Sequence, residues 1–142
     1  MTGRDHLNFA RLALKVGLGV GPIIAGIDKF LNKLTDWSMY LSPLATRMVP
    51  VSSSAFMHAV GLVEILAGLL VLSRWTRVGS LIVMLWLIGI AINLVTTGMF
   101  YDLAMRDLEM ALGAFALSQL SAGRMATAGP QATNQTSSGS VA

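Results

Sequence analysis

Seven side chains able to carry charge or protons lie within otherwise apolar stretches of this chain: Asp28, Lys29, His58, Glu64, Arg106, Asp107 and Glu109. Asp102 and Asn93 add two further polar positions at the edges of such stretches. An ionisable group in hydrocarbon is expensive unless it is paired, hydrated or neutralised, so each is a functional candidate by default. The matching chemistry is proton exchange. Asp28, Glu64, Asp102, Asp107 and Glu109 face only Lys29 and Arg106 as fixed cations. At least one deep carboxyl is therefore expected to hold a proton, or His58 to be protonated beside it, since burial and like charge both disfavour the ionised form. A carboxyl poised in this way can relay protons.

Helical spacing arranges these groups. Asp102, Arg106 and Glu109 fall at i, i+4 and i+7 on one face, with Asp107 about 100° round. Gly61, Glu64 and Gly68 share another face, where the glycines let a second backbone approach beside the carboxylate. These patterns predict an ion pair between Glu64 and Arg106, with Asp28 or Asp107 as the partner of Lys29. A structural reading predicts the same pair, because a bundle can use buried ions simply to fix its packing. For His58 the expectation is an interfacial structural role at the outer mouth rather than ligation.

The elements that must position these groups are long apolar helices. The 142 residues are 54% hydrophobic and only 12% charged, with the apolar residues in long blocks. The pattern predicts an all-α, transmembrane four-helix bundle in a single domain over residues 1–122. Its helices fall at about 9–31, 55–73, 78–97 and 101–121, each near the roughly 20 residues that cross about 30 Å of hydrocarbon. At this rise Glu64 and Glu109 lie about 12 to 14 Å below their helix starts, close to mid-membrane. The inner half of the bundle, by contrast, is almost purely apolar. Asn32 to Ser54 forms a long connection whose Trp37, Met39, Tyr40 and Leu41 suit the membrane interface. Residues 123–142, rich in Gly, Ser, Thr, Ala, Gln and Asn, read as a disordered tail.

Arg4, Arg11, Lys15, Arg74, Arg77 and Arg124 gather at one side and Lys29, Lys33 and Arg47 at the other, which predicts both termini cytoplasmic. The first apolar block follows basic residues as in a signal peptide. It runs into Asp28-Lys29-Phe30 rather than a small-residue cleavage site, so a retained helix is expected.

Several classes are disfavoured. The chain has no cysteine, which removes disulfides, thiolate metal sites and iron–sulfur clusters. His6 and His58 make no spaced ligand pair, so no metal or haem is expected. The pI near 9.8 reflects cations flanking the spans, not a basic stripe for nucleic acid. Gly17-Leu18-Gly19-Val20-Gly21 lacks the spacing and the preceding strand of a dinucleotide loop and reads as helix packing.

Gly26-Ile27-Asp28-Lys29-Phe30, Gly61-x-x-Glu64-x-x-x-Gly68 and Asp102-x-Ala104-x-Arg106-Asp107 together resemble the DoxX family of small four-helix membrane proteins, over roughly Leu12 to Leu120. The family is functionally mixed: quinone-linked subunits of a thiosulfate oxidoreductase, proteins associated with a membrane redox-defence complex, cargo receptors and receptor-assembly chaperones. The resemblance implies that Glu64, Arg106 and Asp107 occupy the family's polar positions. It does not transfer a reaction.

The leading expectation is a multi-pass protein of a bacterial cytoplasmic membrane, an accessory or non-catalytic subunit of a quinone-linked oxidoreductase. Its cofactor would be exchangeable quinone, with none bound covalently. Glu64 would exchange the proton, Arg106 would hold it and orient a quinone carbonyl, and His58 would sit at the mouth. The alternative is a scaffold or chaperone binding other membrane proteins, with the charges purely structural. A solute or ion carrier is disfavoured by the absence of internal repeats and the apolar inner half.

Overall fold

The computed structural model describes residues 2–127. They form α1 (Gly3–Leu31), a 3-10 turn (Trp37–Tyr40), α2 (Pro43–Met48), α3 (Ser53–Leu72), α4 (Thr76–Thr97) and α5 (Tyr101–Thr127), with no strand among the described residues. Helix α1 packs chiefly on α3 and α5 on α4; the two pairs join through α3 against α4 and α1 against α5. The four long helices thus close into a ring.

Polar residues set the helix ends, and two ends differ from the hydropathy reading. Helix α1 begins at Gly3 rather than near Phe9, because the Thr2 backbone N–H and Oγ1 both donate to the Asp5 carboxylate, at 2.7 and 2.9 Å. Helix α5 continues to Thr127, past the expected end near residue 121, so the first residues assigned to a tail are helical. The remainder of that tail lies outside the described residues. Helix α1 closes at Asn32 in the left-handed region, with φ 48°, and α4 closes at Gly98 with φ 76°. Helix α3 starts from Ser52, whose hydroxyl accepts the Ala55 N–H at 3.2 Å.

The distribution of side chains identifies the solvent. Ala67, Ala91, Ala104, Ala111, Ala114, Ser80 and Ser118 are buried between helices, whereas Leu62, Leu66, Leu85, Ile92 and Leu112 point outward; Leu85 is 64% and Leu112 70% exposed. Small residues inside and large apolar residues outside is the arrangement of helices that associate by close packing in lipid. Three helices, α1, α3 and α4, are long and apolar enough to cross a membrane. Helix α5 is not among them, having four charged residues between Asp102 and Glu109.

Close backbone approach defines the α1–α3 pair. A Cβ on Gly26 would lie 2.5 Å from the Gly61 carbonyl oxygen, and one on Gly61 would lie 2.7 Å from that of Gly26. Gly19 and Gly68 repeat the contact two turns along. Gly61 and Gly68 therefore do admit a second backbone beside Glu64, and that backbone is α1. Gly17 and Gly21 meet nothing within 4 Å, so of the glycines in that run only Gly19 serves packing.

The connection between α1 and α3 is tied down at its centre. Asn93 Nδ2 on α4 donates to the Tyr40 carbonyl at 2.7 Å, and the Ser42 N–H donates to Asn93 Oδ1 at 3.1 Å. Tyr40 also meets Phe100 edge-on, with centroids 4.8 Å apart. Substituting Asn93 with leucine should weaken this anchor by about 1 kcal/mol, the cost of stranding two part-buried backbone groups. Limited proteolysis should then cut the 32–52 segment faster while the four long helices keep their far-UV signal.

Candidate functional site: a buried charge cluster under a polar recess

Lys29 and Glu64 meet at the α1–α3 contact. Lys29 Nζ lies 2.6 Å from Glu64 Oε2, and their side chains are only 4% and 7% exposed. The glycine contact explains this: with the backbones so close, Lys29, three residues past Gly26, reaches Glu64, three residues past Gly61. The expected pairing of Glu64 with Arg106 is thus corrected. Arg106 is exposed on α5, and Glu64 takes its cation from α1.

Neither acid expected to partner Lys29 does so. Asp28 instead accepts from the Trp37 indole at 2.8 Å and from the Lys33 and Leu34 backbone N–H groups at 3.1 Å. It therefore closes the end of α1 and holds the following chain. Trp37 in turn places its ring against Lys29, whose Nζ is 3.7 Å from the ring centroid. One lysine thereby joins α1, α3 and the connection between them.

A second carboxylate faces this pair. Asp107 is 7% exposed and lies within electrostatic reach of both Glu64 and Lys29. The opposite face of α5, carrying Asp102, Arg106 and Glu109, points outward, so the three residues that share a face do so away from the cluster. The buried cluster therefore contains two carboxylates and one lysine, with the exposed Arg106 acting on Asp107 from outside it. The Trp86 indole on α4 lies near the Glu64 carboxylate, yet its buried Nε1 makes no hydrogen bond among the described residues. Sequence reasoning overlooked Trp86. Its position at the middle of α4, far from the interface that tryptophan prefers, was the available signal.

Above the pair is a recess of about 200 Å³, lined by Lys29, Asn32, Asp36, Ser38, Ser53, Ser54 and Met57. It exists because α1 stops at Leu31, about level with Met57, leaving the first turn of α3 beyond it. Asp36 at the rim accepts from the Ser38 hydroxyl and N–H, at 2.5 and 3.1 Å, which hold its carboxyl below the ordinary aspartate range. His58 is half-buried and stacks on Phe30 with centroids 4.9 Å apart, bracing α1 against α3. No group of three or more metal-binding side chains occurs among the described residues.

At the opposite end, cations connect helices: Lys15 donates to the Ser73 carbonyl at 3.0 Å and Arg11 to Ser121 at 3.2 Å. Fold and site together define a helical membrane protein with a buried lysine–carboxylate cluster reached from a polar recess. No family model, curated protein or solved structure matches the chain.

Proposed function

We propose that this chain is a DoxX-like protein that crosses the bacterial cytoplasmic membrane four times, with both termini cytoplasmic, and serves a quinone-linked oxidoreductase as an accessory subunit. The observation that carries the reading is the second buried carboxylate, Asp107, beside the Lys29–Glu64 pair. Lys29 pairs with Glu64, so Asp107, which forms no ion pair among the described residues, is the acid left to exchange a proton. Lys29 takes the role first given to Arg106, holding Glu64 and presenting a donor to a quinone carbonyl. The indole N–H of Trp86 supplies a second donor. Quinol oxidation releases two protons and two electrons; the protons would pass to the carboxylates and the electrons to the partner's redox centre.

Purification of the tagged chain in native nanodiscs, followed by mass spectrometry of bound lipids and proteins, tests this directly. Co-purifying quinone and an oxidoreductase are expected. Asp107→Asn should then reduce the partner's quinol-dependent turnover by roughly a hundredfold at unchanged abundance, the size typical of a lost proton-transfer group. Unchanged turnover would rule the proton role out.

A second reading is favoured by the way Lys29 ties Glu64 and Trp37 together. On that reading the chain is a scaffold or chaperone for other membrane proteins and the cluster is a brace. Substitution would then lower abundance rather than specific activity, and many unrelated membrane proteins would co-purify without quinone.

A further inference from the structure

Helix α5 presents an outward face that lipid alone cannot accommodate. Asp102, Arg106 and Glu109 project from it in the order acid, base, acid, all exposed, and none forms an ion pair among the described residues. Their depth follows from α4, which is long and apolar enough to span. Ala104 packs against Ala91 and Leu94 of α4, and Leu117 against Val83. Arg106 and Glu109 lie between those levels and hence beside the spanning part of α4. Charged side chains at such depth face protein or water, not hydrocarbon. Further along the same face comes Ala116, also exposed, where a neighbouring helix can come close.

We infer that this face binds a second copy of the chain, through a two-fold axis along the membrane normal with α5 against α5. Like residues stand level across such an axis, and the charge order sets opposite charges on the diagonals. In a parallel pair crossing near Arg106, each arginine meets Asp102 of the other copy one turn up and its Glu109 nearly one turn down, about 6.0 and 4.5 Å along the axis. A two-fold interface requires such reciprocity. The inference depends on α5 lying in the bilayer beside α4, not on quinone chemistry.

The cysteine-free sequence makes the test direct. Single cysteines would replace Met105 or Leu112 on this face, or Leu66 on α3 and Leu85 on α4 as controls, all exposed. Oxidative cross-linking in native membranes should give disulfide-linked dimers at positions 105 and 112 and none at 66 and 85. Arg106→Glu leaves three acids on the face and should reduce cross-linking at least tenfold. Reversing all three signs with Asp102→Lys, Arg106→Glu and Glu109→Lys should restore it. Labelling of Leu112→Cys by a water-soluble maleimide in intact membranes checks the depth independently. Strong labelling, cross-links at the control positions only, or a cross-link to a different protein would each overturn the proposal.

Discussion

Replacing Lys29 with methionine is expected to destabilise the protein by about 3–5 kcal/mol, the usual consequence of removing one partner from a buried ion pair. The pair is closed at 2.6 Å, and α1 and α3 bury both side chains almost completely. Without the ammonium group, Glu64 would be left beside Asp107, two buried carboxylates with no cation between them. Trp37 would also lose the charge over its ring, and with it one attachment of the connection between α1 and α3. The double variant Lys29→Met, Glu64→Leu removes both charges and should recover most of the lost stability, because an apolar pair of similar volume often replaces a buried salt bridge at little cost. Loss of helicity on titration of the detergent-solubilised protein with a denaturing surfactant gives the comparison. Equal stability of the single variant and the native chain would mean that Glu64 is already neutral in the folded state. The double variant also separates the two functional readings: a folded protein without redox activity points to a working cluster, whereas full activity points to a brace.

The second large effect concerns a single methyl group. Alanine at Gly26 would bring its Cβ to 2.5 Å from the Gly61 carbonyl oxygen and 2.8 Å from Ile65 Cγ1. The first of these neighbours is backbone and cannot rotate away, so α1 and α3 must separate. Overpacking of this kind costs about 1–3 kcal/mol. Gly26→Ala combined with Gly68→Ala should approach the sum, since the two contacts lie two turns apart, against Gly61 and Gly19 respectively. Separation would also pull Lys29 from Glu64, which sit on the same interface. Gly17→Ala and Gly89→Ala are the controls, because neither new methyl would meet another part of the fold within 4 Å. Relief of glycine's flexibility in a helix should leave them neutral or more stable by about 0.5–1 kcal/mol. Thermal denaturation of the four single variants in one detergent gives the ranking. A Gly26→Ala protein that melts with the controls would show that the helix pair tolerates a wider spacing.

Apolar blocks and the basic flanks already contain the helical architecture, since a segment of about 20 apolar residues has few options besides a helix in lipid. The faces of Gly61, Glu64 and Gly68, and of Asp102, Arg106 and Glu109, were legible too, because a helix fixes the angle between its own residues. Which face meets which helix was not. Periodicity does not say whether Glu64 looks toward α5 or toward α1, and the cation was assigned to Arg106 for that reason. The choice is made by Gly19 and Gly26 meeting Gly68 and Gly61, which bring α1 to α3 and place Lys29 at the carboxylate. The packing of Ala104 and Leu117 of α5 against α4 turns Asp107 inward and its neighbour Arg106 outward, although the two are adjacent in the chain. Trp86 and Asn93 acquire their roles only when α4 is laid beside α3 and the α1–α3 connection, since a hydrogen-bond donor is recognised as unpartnered, or as an anchor, only among its neighbours. Local periodicity therefore determined the helices and their faces, while close contact between glycine backbones far apart in sequence decided which charges share the interior.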